Sequence, residues 1–315
     1  MINDPPHRPA LIYSEHYDID LNGLEKRYCF DMRKYRRIYE SLCDEASLQA
    51  DFLSPDPLTD ETLFIVHDPE YVASLYRPEY MADVLEFPPL RSLPPHLIRD
   101  ALMKGILHIS GGTLLACREA LARGLAFNLG GGYHHAQADQ GGGFCAVADV
   151  PIAIRTLLAE GMIHRAAIVD CDVHQGNGNA QIFRDDPRVY TFSIHQENNY
   201  PFVKAESSLD IGFNSKRKVD DVLYLATLLK SLPKVIRRSR ADLVVYLAGT
   251  DVHADDFMGG FRLTREGIVR RDLMVFETAR AEGIPLAAVT AGGYAEASWE
   301  IHAASIKAIL SAWRR

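Results

Sequence analysis

The chain has 315 residues, of which 47% are hydrophobic and 24% are charged. This length and composition are typical of a globular protein with one large α/β domain or two smaller ones. The formal net charge of -8 argues against sequence-independent binding to nucleic acid, because such binding requires a dense basic surface. A cationic or lysine-containing substrate is compatible with this charge.

The sequence contains no signal for a membrane or for secretion. No apolar run approaches the roughly 20 residues that cross a bilayer, and the opening segment Met1 to Pro6 lacks the basic-then-apolar layout of a signal peptide. The five cysteines are odd in number and form no Cys-x-x-Cys pair, which argues against a disulfide framework and a thiolate zinc site. We therefore expect a cytoplasmic protein with reduced thiols.

The first 123 residues predict short elements of mixed type. A short strand is predicted at 11–13, a helix at 30–43, a loop at 51–62, a strand at 62–66, a helix at 68–75 and a surface connection at 87–95. A long helical region follows at 96–123. Its Gly111-Gly112 pair is expected to loosen or break the helix, because each interior glycine costs about 1 kcal/mol relative to alanine.

From residue 125 onward, apolar runs alternate with segments of helical period. The runs at 125–129, 166–169, 189–194, 243–247 and 285–289 do not alternate with polar residues, which favours parallel strands buried on both faces. The segments at 150–160, 221–237 and 264–282 have the period and length of helices. We predict an α/β fold with a mainly parallel central β-sheet flanked by helices on both faces. No repeat or linker supports a second domain, so residues 1–315 are expected to form a single domain.

Polar side chains follow four of these predicted strands. In open α/β sheets, ligands bind beyond the carboxyl ends of the strands. The stretch that follows the run at 166–169 is the most informative, because it contains Asp170, Asp172 and His174 at every second position. Alternate side chains of a strand share a face, so these three are expected to point into one cleft.

This spacing predicts a metal site. Asp172 and His174 would supply two of the three protein ligands of a catalytic metal, and Asp251, which follows a strongly apolar strand, is the candidate third. Zn²⁺ is the first choice, although the ligand types also suit Fe²⁺ or Co²⁺. The alternative is that these side chains only cap helices or pair with surface arginines. An isolated Asp-x-His is weak evidence for a metal, and the number of similar strand ends strengthens it.

The paired histidines His134 and His135 are candidates for proton transfer. They lie between two triple-glycine tracts, as expected for residues that approach a ligand closely, and Asp170 and Asn177 are natural partners for the two imidazoles. A lone buried histidine is more often structural, and that alternative stays open.

Two further segments suggest how a substrate is held. Tyr294, which follows two glycines, could place a hydroxyl where an oxyanion develops, or it could be a packed turn aromatic. Gly143 and Phe144 suit the wall of a narrow channel along which an extended acyl-lysine stem lies, with Tyr133 as part of the same wall. The alternative for this segment is a flexible loop.

Together these segments resemble the zinc-dependent histone deacetylase family, whose members have the arginase/deacetylase fold. The resemblance spans most of the chain. Its motifs are Gly-Gly-Tyr-His-His at 131–135, Gly-Gly-Phe-Cys at 142–145, Asp-Cys-Asp-Val-His-Gln-Gly-Asn-Gly at 170–178, Gly-Thr-Asp at 249–251 and Gly-Gly-Tyr at 292–294.

The resemblance implies a role for each residue of the site. Asp172, His174 and Asp251 would bind the metal, and His135 would be the general base. His134 would be an electrostatic partner or a proton donor. Asp170 and Asn177 would support the two imidazoles, and Tyr294 would polarise the amide carbonyl. The resemblance further implies a monovalent cation such as K⁺ beneath the zinc site, with ligands from Asp170, Asp172, His174, Ser193 and Ile194.

The amino-terminal segment is similar to the class IV branch of the family in Gly-Leu-Glu-Lys at 23–26, Phe-Asp at 30–31 and Lys-Tyr at 34–35. Three positions depart from the patterns of the family. Tyr28-Cys29 stands where that branch usually has His-Pro, and Asn177 stands where many relatives have Asp. For these reasons, we expect the shape of the pocket rim and the number of protons held by the site to differ from those of other family members.

The expected activity is hydrolysis, by metal-activated water, of an acetyl or other acyl group from a lysine side chain or similar amine. The expected partner is therefore an acylated lysine peptide or a small acylated amine, not nucleic acid or a membrane. Two alternatives are a small-molecule deacylase of the acetylpolyamine type and a non-catalytic module that binds acyl-lysine. The sequence does not determine the oligomeric state.

Overall fold

A single parallel β-sheet forms the centre of the molecule. The computed structural model describes residues 8–45, 48–214, 216 and 218–314; the opening segment at 1–6 discussed above lies outside these ranges. Eight strands pair in the order β2-β1-β3-β8-β7-β4-β5-β6, and each pairing is parallel. The strands are β1 (Ala10–Ile12), β2 (Asp51–Leu53), β3 (Leu125–Asn128), β4 (Ala166–Asp170), β5 (Val189–Gln196), β6 (Leu209–Phe213), β7 (Leu243–Leu247) and β8 (Leu286–Val289).

Helices of very different lengths surround this sheet. The longer helices are α1 (Lys34–Cys43), α6 (Lys104–Arg123), α7 (Asp149–Ala159), α9 (Asp221–Ser239), α10 (Arg265–Ala281) and α11 (Ser298–Trp313). The shorter ones are α2 (Asp60–Leu63), α3 (Pro69–Ser74), α4 (Pro78–Val84), α5 (Pro95–Leu97) and α8 (Asn177–Ile182). A π-helical segment, Ile98–Met103, connects α5 to α6, and short 3₁₀ segments occur at Glu15–Tyr17, Leu24–Arg27 and Pro88–Ser92. None of the helices within the described ranges is long and apolar enough to cross a membrane.

The two faces of the sheet pack into two different parts of the core. Along β4, Ala167 and Val169 join the cluster that includes α1, α9, α10 and α11, whereas Ala166 and Ile168 join the cluster of α6 and α7. Because both faces are buried, the central strands need no polar alternation. The predicted fold, a parallel sheet with helices on both faces, is confirmed.

Some local predictions in the first third of the chain are wrong. The segment 62–66, predicted as a strand, contains the end of helix α2, which begins at a Thr59 cap whose hydroxyl accepts a hydrogen bond from the Thr62 amide. The predicted loop at 51–62 contains the edge strand β2, which is three residues long and, within the described ranges, pairs only with β1. Unlike β1, which is equally short but apolar and fully buried, β2 begins with an aspartate and is only partly buried, so its sequence does not differ from that of a loop.

The predicted break at Gly111-Gly112 is also wrong, because α6 is continuous over Lys104–Arg123. A side-chain carbon at Gly111 would overlap the backbone oxygen of Asp56, and one at Gly112 would overlap the hydroxyl of Tyr17. That hydroxyl donates a hydrogen bond of 2.7 Å to Asn128 at the end of β3. The glycines therefore allow two segments to approach the helix closely, and packing outweighs their low helix propensity.

This close approach predicts the effect of Gly111→Ala. The substitution improves helix propensity by about 1 kcal/mol, but the added carbon collides with backbone at Asp56, which a side-chain movement cannot relieve. We expect the collision to dominate and to lower Tm by about 2 °C or more, as measured by thermal melting. Lys104→Ala, at an exposed position of the same helix, is the control. A Gly111→Ala protein that melts at or above the wild-type temperature would contradict the proposed reason for this glycine.

Candidate metal centre and active site

The carboxyl ends of four neighbouring strands bring the predicted site residues to one edge of the sheet. Asp170, the last residue of β4, lies beside Leu247, the last residue of β7, and Leu247 lies beside Val289, the last residue of β8. Val289 in turn pairs with Asn128 at the end of β3. The segments that follow these four residues therefore start from the same edge.

The carboxylates of Asp172 and Asp251 and the imidazole of His174 form a buried cluster at this edge. Their candidate ligand atoms all lie within 4.8 Å of one another. His174 Nδ1 lies 3.1 Å from Asp172 Oδ1 and 3.2 Å from Asp251 Oδ2. Ligand atoms of a tetrahedral site with bonds of about 2.0 Å are about 3.3 Å apart, so this donor set fits a divalent metal ion.

Backbone amides and glycines hold the two carboxylates in place. Gly292 N donates to Asp172 Oδ2 at 2.9 Å, and Val173 N donates to Asp251 Oδ1 at 2.8 Å. A side-chain carbon at Gly292 or at Gly249 would overlap a carboxylate oxygen of Asp172. Each carboxylate therefore has one oxygen fixed by an amide, while another faces His174.

The electrostatics of the cluster favour a positive charge at its centre. Burial and the neighbouring Asp172 raise the pKa of Asp251 to about 7. Burial disfavours the charged form of His174, but hydrogen bonds to Asp172 and Asp251 outweigh it and raise the pKa of the imidazole to about 10. Two buried carboxylates around one imidazole thus attract a proton or a metal cation to the same place.

The two neighbouring histidines have different partners. His134 Nδ1 donates to Asp170 Oδ2 at 2.8 Å, and His135 Nδ1 donates to Asn177 Oδ1 at 2.7 Å. The ring centroids are 4.1 Å apart. Donation from Nδ1 leaves Nε2 of a neutral His135 free to accept a proton.

This difference in partners separates the pKa values of the two imidazoles. Burial disfavours the charged form of His134, but Asp170 and Asp172 raise its pKa to about 9. Burial, the adjacent His134 and His174 hold the pKa of His135 well below its usual value. One imidazole is therefore suited to carry a positive charge and the other to act as a base.

Tyr294 lies among aromatic rings at the same site. Its ring centroid is 5.7 Å from that of Phe144 and 5.9 Å from that of Phe30, and its backbone amide donates to Asp256 Oδ2 at 2.7 Å. Burial and the charges of Asp172 and Asp251 raise the pKa of the phenol well above its usual value. The hydroxyl therefore stays protonated and can donate a hydrogen bond.

Glycine and aromatic residues pack closely beside these groups and form a wall next to His135. Gly143 adopts φ of +52°, and a side-chain carbon there would lie 2.6 Å from ring atoms of both His135 and Tyr200. The ring of Tyr200 packs edge-on against His135 at 4.7 Å. The ring of Tyr28, which with Cys29 replaces the His-Pro of the class IV branch, lies 5.9 Å from that of Phe144.

An apolar cavity adjoins the histidine pair and Tyr294 and is lined in part by the ring of Tyr133. Its wall extends into a part of the core to which residues 19–106 contribute most. The other apolar residues of this wall include Ile19, Phe30, Met32, Leu102, Ile106 and Ile109. The cavity gives an acyl group apolar surroundings next to the polar cluster.

Several residues that shape the site were not predicted from the sequence. Tyr200 lies in a loop after β5 that has no glycine-rich strand end. Lys34 is buried beneath the site, where its Nζ donates to Ala291 O at 3.2 Å, and burial lowers its pKa to about 8. Asp149 is buried and accepts hydrogen bonds from the amides of Gly132 and Tyr133. Its position at the start of a helix gave a capping signal but no indication of these partners.

Arg271 is the largest of the missed residues and is fully buried. Its guanidinium donates to the carbonyl oxygens of Cys171 at 3.1 Å and Gly249 at 2.7 Å, and it pairs with Asp272 at 2.7 Å. Cys171 precedes Asp172, and Gly249 lies two residues before Asp251. The side chain thus ties together the two loops that supply the carboxylates of the cluster.

Three of the predicted ligands of a monovalent cation lie on adjacent strands, and the other two, Asp172 and His174, follow the end of β4. Asp170 in β4 pairs with Ser193 in β5, and Ile194 follows in the same strand. The Ser193 hydroxyl is 2.9 Å from Nδ1 of His195 and is therefore engaged within the protein. The cation site stays a prediction.

The sheet and the polar cluster at its carboxyl edge define an α/β protein of the arginase/deacetylase fold. The structure superposes on the crystal structure of the HDA15 HD domain with a TM-score of 0.77, over 98% of this chain and 90% of that one, at 19% sequence identity. This likeness concerns the fold alone.

Sequence comparisons identify the family. The histone deacetylase domain model matches residues 28–310. The chain is 35% identical over 307 residues to Histone deacetylase 2 of Arabidopsis thaliana, covering 96% of this chain and 79% of that protein. It is 26% identical over 279 residues to the acetoin utilization protein AcuC of Staphylococcus aureus, covering 79% and 67% respectively. The chain belongs to the histone deacetylase family, as its motifs predicted, whereas the class IV assignment stays a prediction.

The cluster geometry predicts the outcome of metal analysis. Asp172→Ala, His174→Ala and Asp251→Ala should each abolish stoichiometric metal binding, because two remaining ligands provide too little charge and the wrong geometry. The measurement is metal content after dialysis against metal-free buffer. Asp256→Asn, which changes another buried carboxylate near the site, should retain the metal. If all three alanine variants kept wild-type metal content, this set of ligands would be wrong.

Proposed function

We propose that this protein is a metal-dependent amidohydrolase that removes an acetyl or other acyl group from a lysine side chain or a similar amine. The observation that carries the proposal is the convergence of the Asp172, His174 and Asp251 cluster with the His134–His135 pair. His134 Nε2 lies 3.8 Å from Asp172 Oδ1, and the ring centroid of His135 lies 5.9 Å from that of His174. Tyr294 lines the same cavity as the pair. Membership of the histone deacetylase family supports deacylation as the reaction.

Asp172, His174 and Asp251 would hold the metal, with zinc as the first choice and Fe²⁺ or Co²⁺ compatible with the same ligands. A divalent ion in this position supplies Lewis acidity toward a water molecule and the scissile carbonyl. A monovalent cation such as K⁺ near Asp170 and Ser193 is part of the same proposal.

The residues around the cluster divide the proton transfers between them. His135 accepts the proton of the attacking water at Nε2, because Asn177 holds its Nδ1–H and burial keeps the ring neutral. His134, charged through its pairing with Asp170, stabilises the developing negative charge and supplies a proton to the leaving amine. Tyr294 donates its hydroxyl to the carbonyl oxygen as that oxygen becomes negative.

The surroundings of these groups favour an extended, largely apolar substrate. The wall of Gly143, Phe144 and Tyr200 suits the aliphatic stem of a lysine side chain. The apolar cavity beyond the histidines would surround the acyl group. Because this cavity extends into the core, acyl chains longer than acetyl should also be tested as substrates.

Two alternative functions would use some of the same residues. A deacylase of small molecules such as acetylated polyamines would use the same reaction centre. A module that only binds acyl-lysine would have no use for a neutral imidazole held at Nδ1 or for a protonated phenol, so the arrangement of His135, Asn177 and Tyr294 speaks against it.

An assay of three substrate classes separates these functions. We expect the protein to hydrolyse acetyl-lysine peptides or longer acyl-lysine peptides, and to lose this activity with a chelator and regain it with Zn²⁺. Preferential hydrolysis of acetylpolyamines would favour the small-molecule enzyme. Binding of acyl-lysine without hydrolysis of any acylated amine, at full metal content, would favour the binding module.

Within the same assay, Tyr294→Phe tests the catalytic role directly. The hydrogen bond from the phenol strengthens as the carbonyl oxygen gains charge, and loss of one such donor typically lowers the rate by about 10² to 10³. We expect single-turnover deacylation to fall by this factor, while metal content, acyl-lysine affinity and Tm stay near wild type. An unchanged single-turnover rate would remove Tyr294 from the mechanism, and a folding defect would indicate a structural role.

Asn177→Asp should move the pH dependence of the reaction. A carboxylate stabilises the protonated imidazole of His135, whereas the native amide does not, so the pKa of this base should rise by about one unit or more. Because the base must be unprotonated, the acidic limb of the kcat/KM profile should shift to higher pH by the same amount. The measurement is a pH profile of both proteins at equal metal content. A shift to lower pH, or none, would contradict the assignment of His135 as the base.

A further inference from the structure

Three large apolar side chains are exposed around the entrance to the site. Phe202, Val203 and Phe257 have 88%, 86% and 62% of their surface accessible. They lie on two loops, one after β5 and one after Asp251. Folded proteins rarely leave large apolar side chains clustered on the surface unless the surface binds something.

Each of the two phenylalanines lies next to a tyrosine ring at the site. The ring of Phe202 is 6.3 Å from that of Tyr200, which packs against His135. The ring of Phe257 is 6.0 Å from that of Tyr294. A substrate whose acyl-lysine reaches His135 and Tyr294 therefore comes close to both exposed rings.

Hydrogen bonds hold both loops in this arrangement. Asn199 Nδ2 donates to Met258 O at 2.8 Å and so joins one loop to the other. Lys204 Nζ donates to the carbonyl oxygens of Asn199 at 2.6 Å and Pro201 at 2.5 Å. The Asn199 amide and the Lys204 ammonium are thus occupied within the loops, while Phe202 and Val203 are exposed beside them.

We propose that Phe202, Val203 and Phe257 form an apolar rim that binds the residues flanking the acyl-lysine, and that the substrate is a polypeptide with apolar side chains at these positions. This inference rests on the proposed function and deepens it. A residue of extended polypeptide spans about 3.3 Å, so the residues immediately beside the lysine lie within reach of the rings around the entrance. An acetylpolyamine has no side chains to place there and gains nothing from the rim.

The experiment compares the kcat/KM of acetyl-lysine substrates that differ only in the residues beside the lysine. The substrates are acetyl-lysine peptides with leucine or phenylalanine on both sides of the lysine, the same peptides with serine instead, and an acetyl-lysine amide without neighbours. The proteins are the wild type, the double variant Phe202→Ser with Val203→Ser, and Phe257→Ser. Met162→Ser is the control, because Met162 is also exposed but precedes β4 and so lies toward the opposite edge of the sheet.

We expect the wild type to favour the apolar peptides by about tenfold in kcat/KM, as partial burial of one or two such side chains allows, and mainly through KM. Both rim variants should lose this preference and keep the wild-type rate on the acetyl-lysine amide. Met162→Ser should behave as the wild type. Fluorescence anisotropy with the same labelled peptides should show the same preference in affinity.

Several outcomes would contradict the proposed role of the rim. One is turnover without any preference in the wild type, and another is an equal loss in the rim variants on the peptides and on the amide. A wild-type dimer that dissociates on changing Phe202 and Val203, as measured by light scattering, would assign the surface to a second copy of the chain. Absence of turnover on all substrates would contradict the proposed function instead, while the anisotropy measurement would still decide whether the rim prefers apolar peptides.

Discussion

Three buried carboxylates at the carboxyl edge of the sheet impose the main constraint on this structure. Asp170, Asp172 and Asp251 are each at most 2% exposed, and an uncompensated buried charge costs several kcal/mol. The protein compensates them with the imidazoles of His134 and His174 and with backbone amides that donate to the carboxylate oxygens. The glycine-rich loops follow from this requirement, because a side chain at Gly249 or Gly292 would occupy the space of a carboxylate.

The positions of these carboxylates depend on a second buried charge on the other side of their loops. The register of β4 against β7 sets where the two loops begin. Arg271, extending from α10, then binds the carbonyl oxygens of Cys171 and Gly249 with one guanidinium group. Its Nη1 makes both of these bonds, while Nε pairs with Asp272 and Nη2 donates to Ala248 O. A lysine ammonium has no such planar fork of donors. The sheet and the helix layer thus determine the spacing of Asp172 and Asp251 together.

The parts of this arrangement that the sequence predicted are those encoded locally. Strand β4 is recognisable because both of its faces are buried, and the alternation of Asp170, Asp172 and His174 appears within five residues. The missed features depend on partners that are distant in sequence. Gly111 is needed because of the Asp56 carbonyl, and the role of Arg271 lies in contacts to residues 100 and 22 positions away. No local pattern contains that information.

The same long-range pairing explains how two adjacent histidines acquire opposite properties. His134 and His135 share their burial, so burial alone would disfavour charge on both. The difference comes from the partners of Nδ1, since Asp170 is a carboxylate and Asn177 a neutral amide. Charge on His134 also opposes charge on His135, because the two rings are only 4.1 Å apart. One imidazolium therefore contributes to the balance of the buried carboxylates, and its presence keeps the neighbouring ring available as a base.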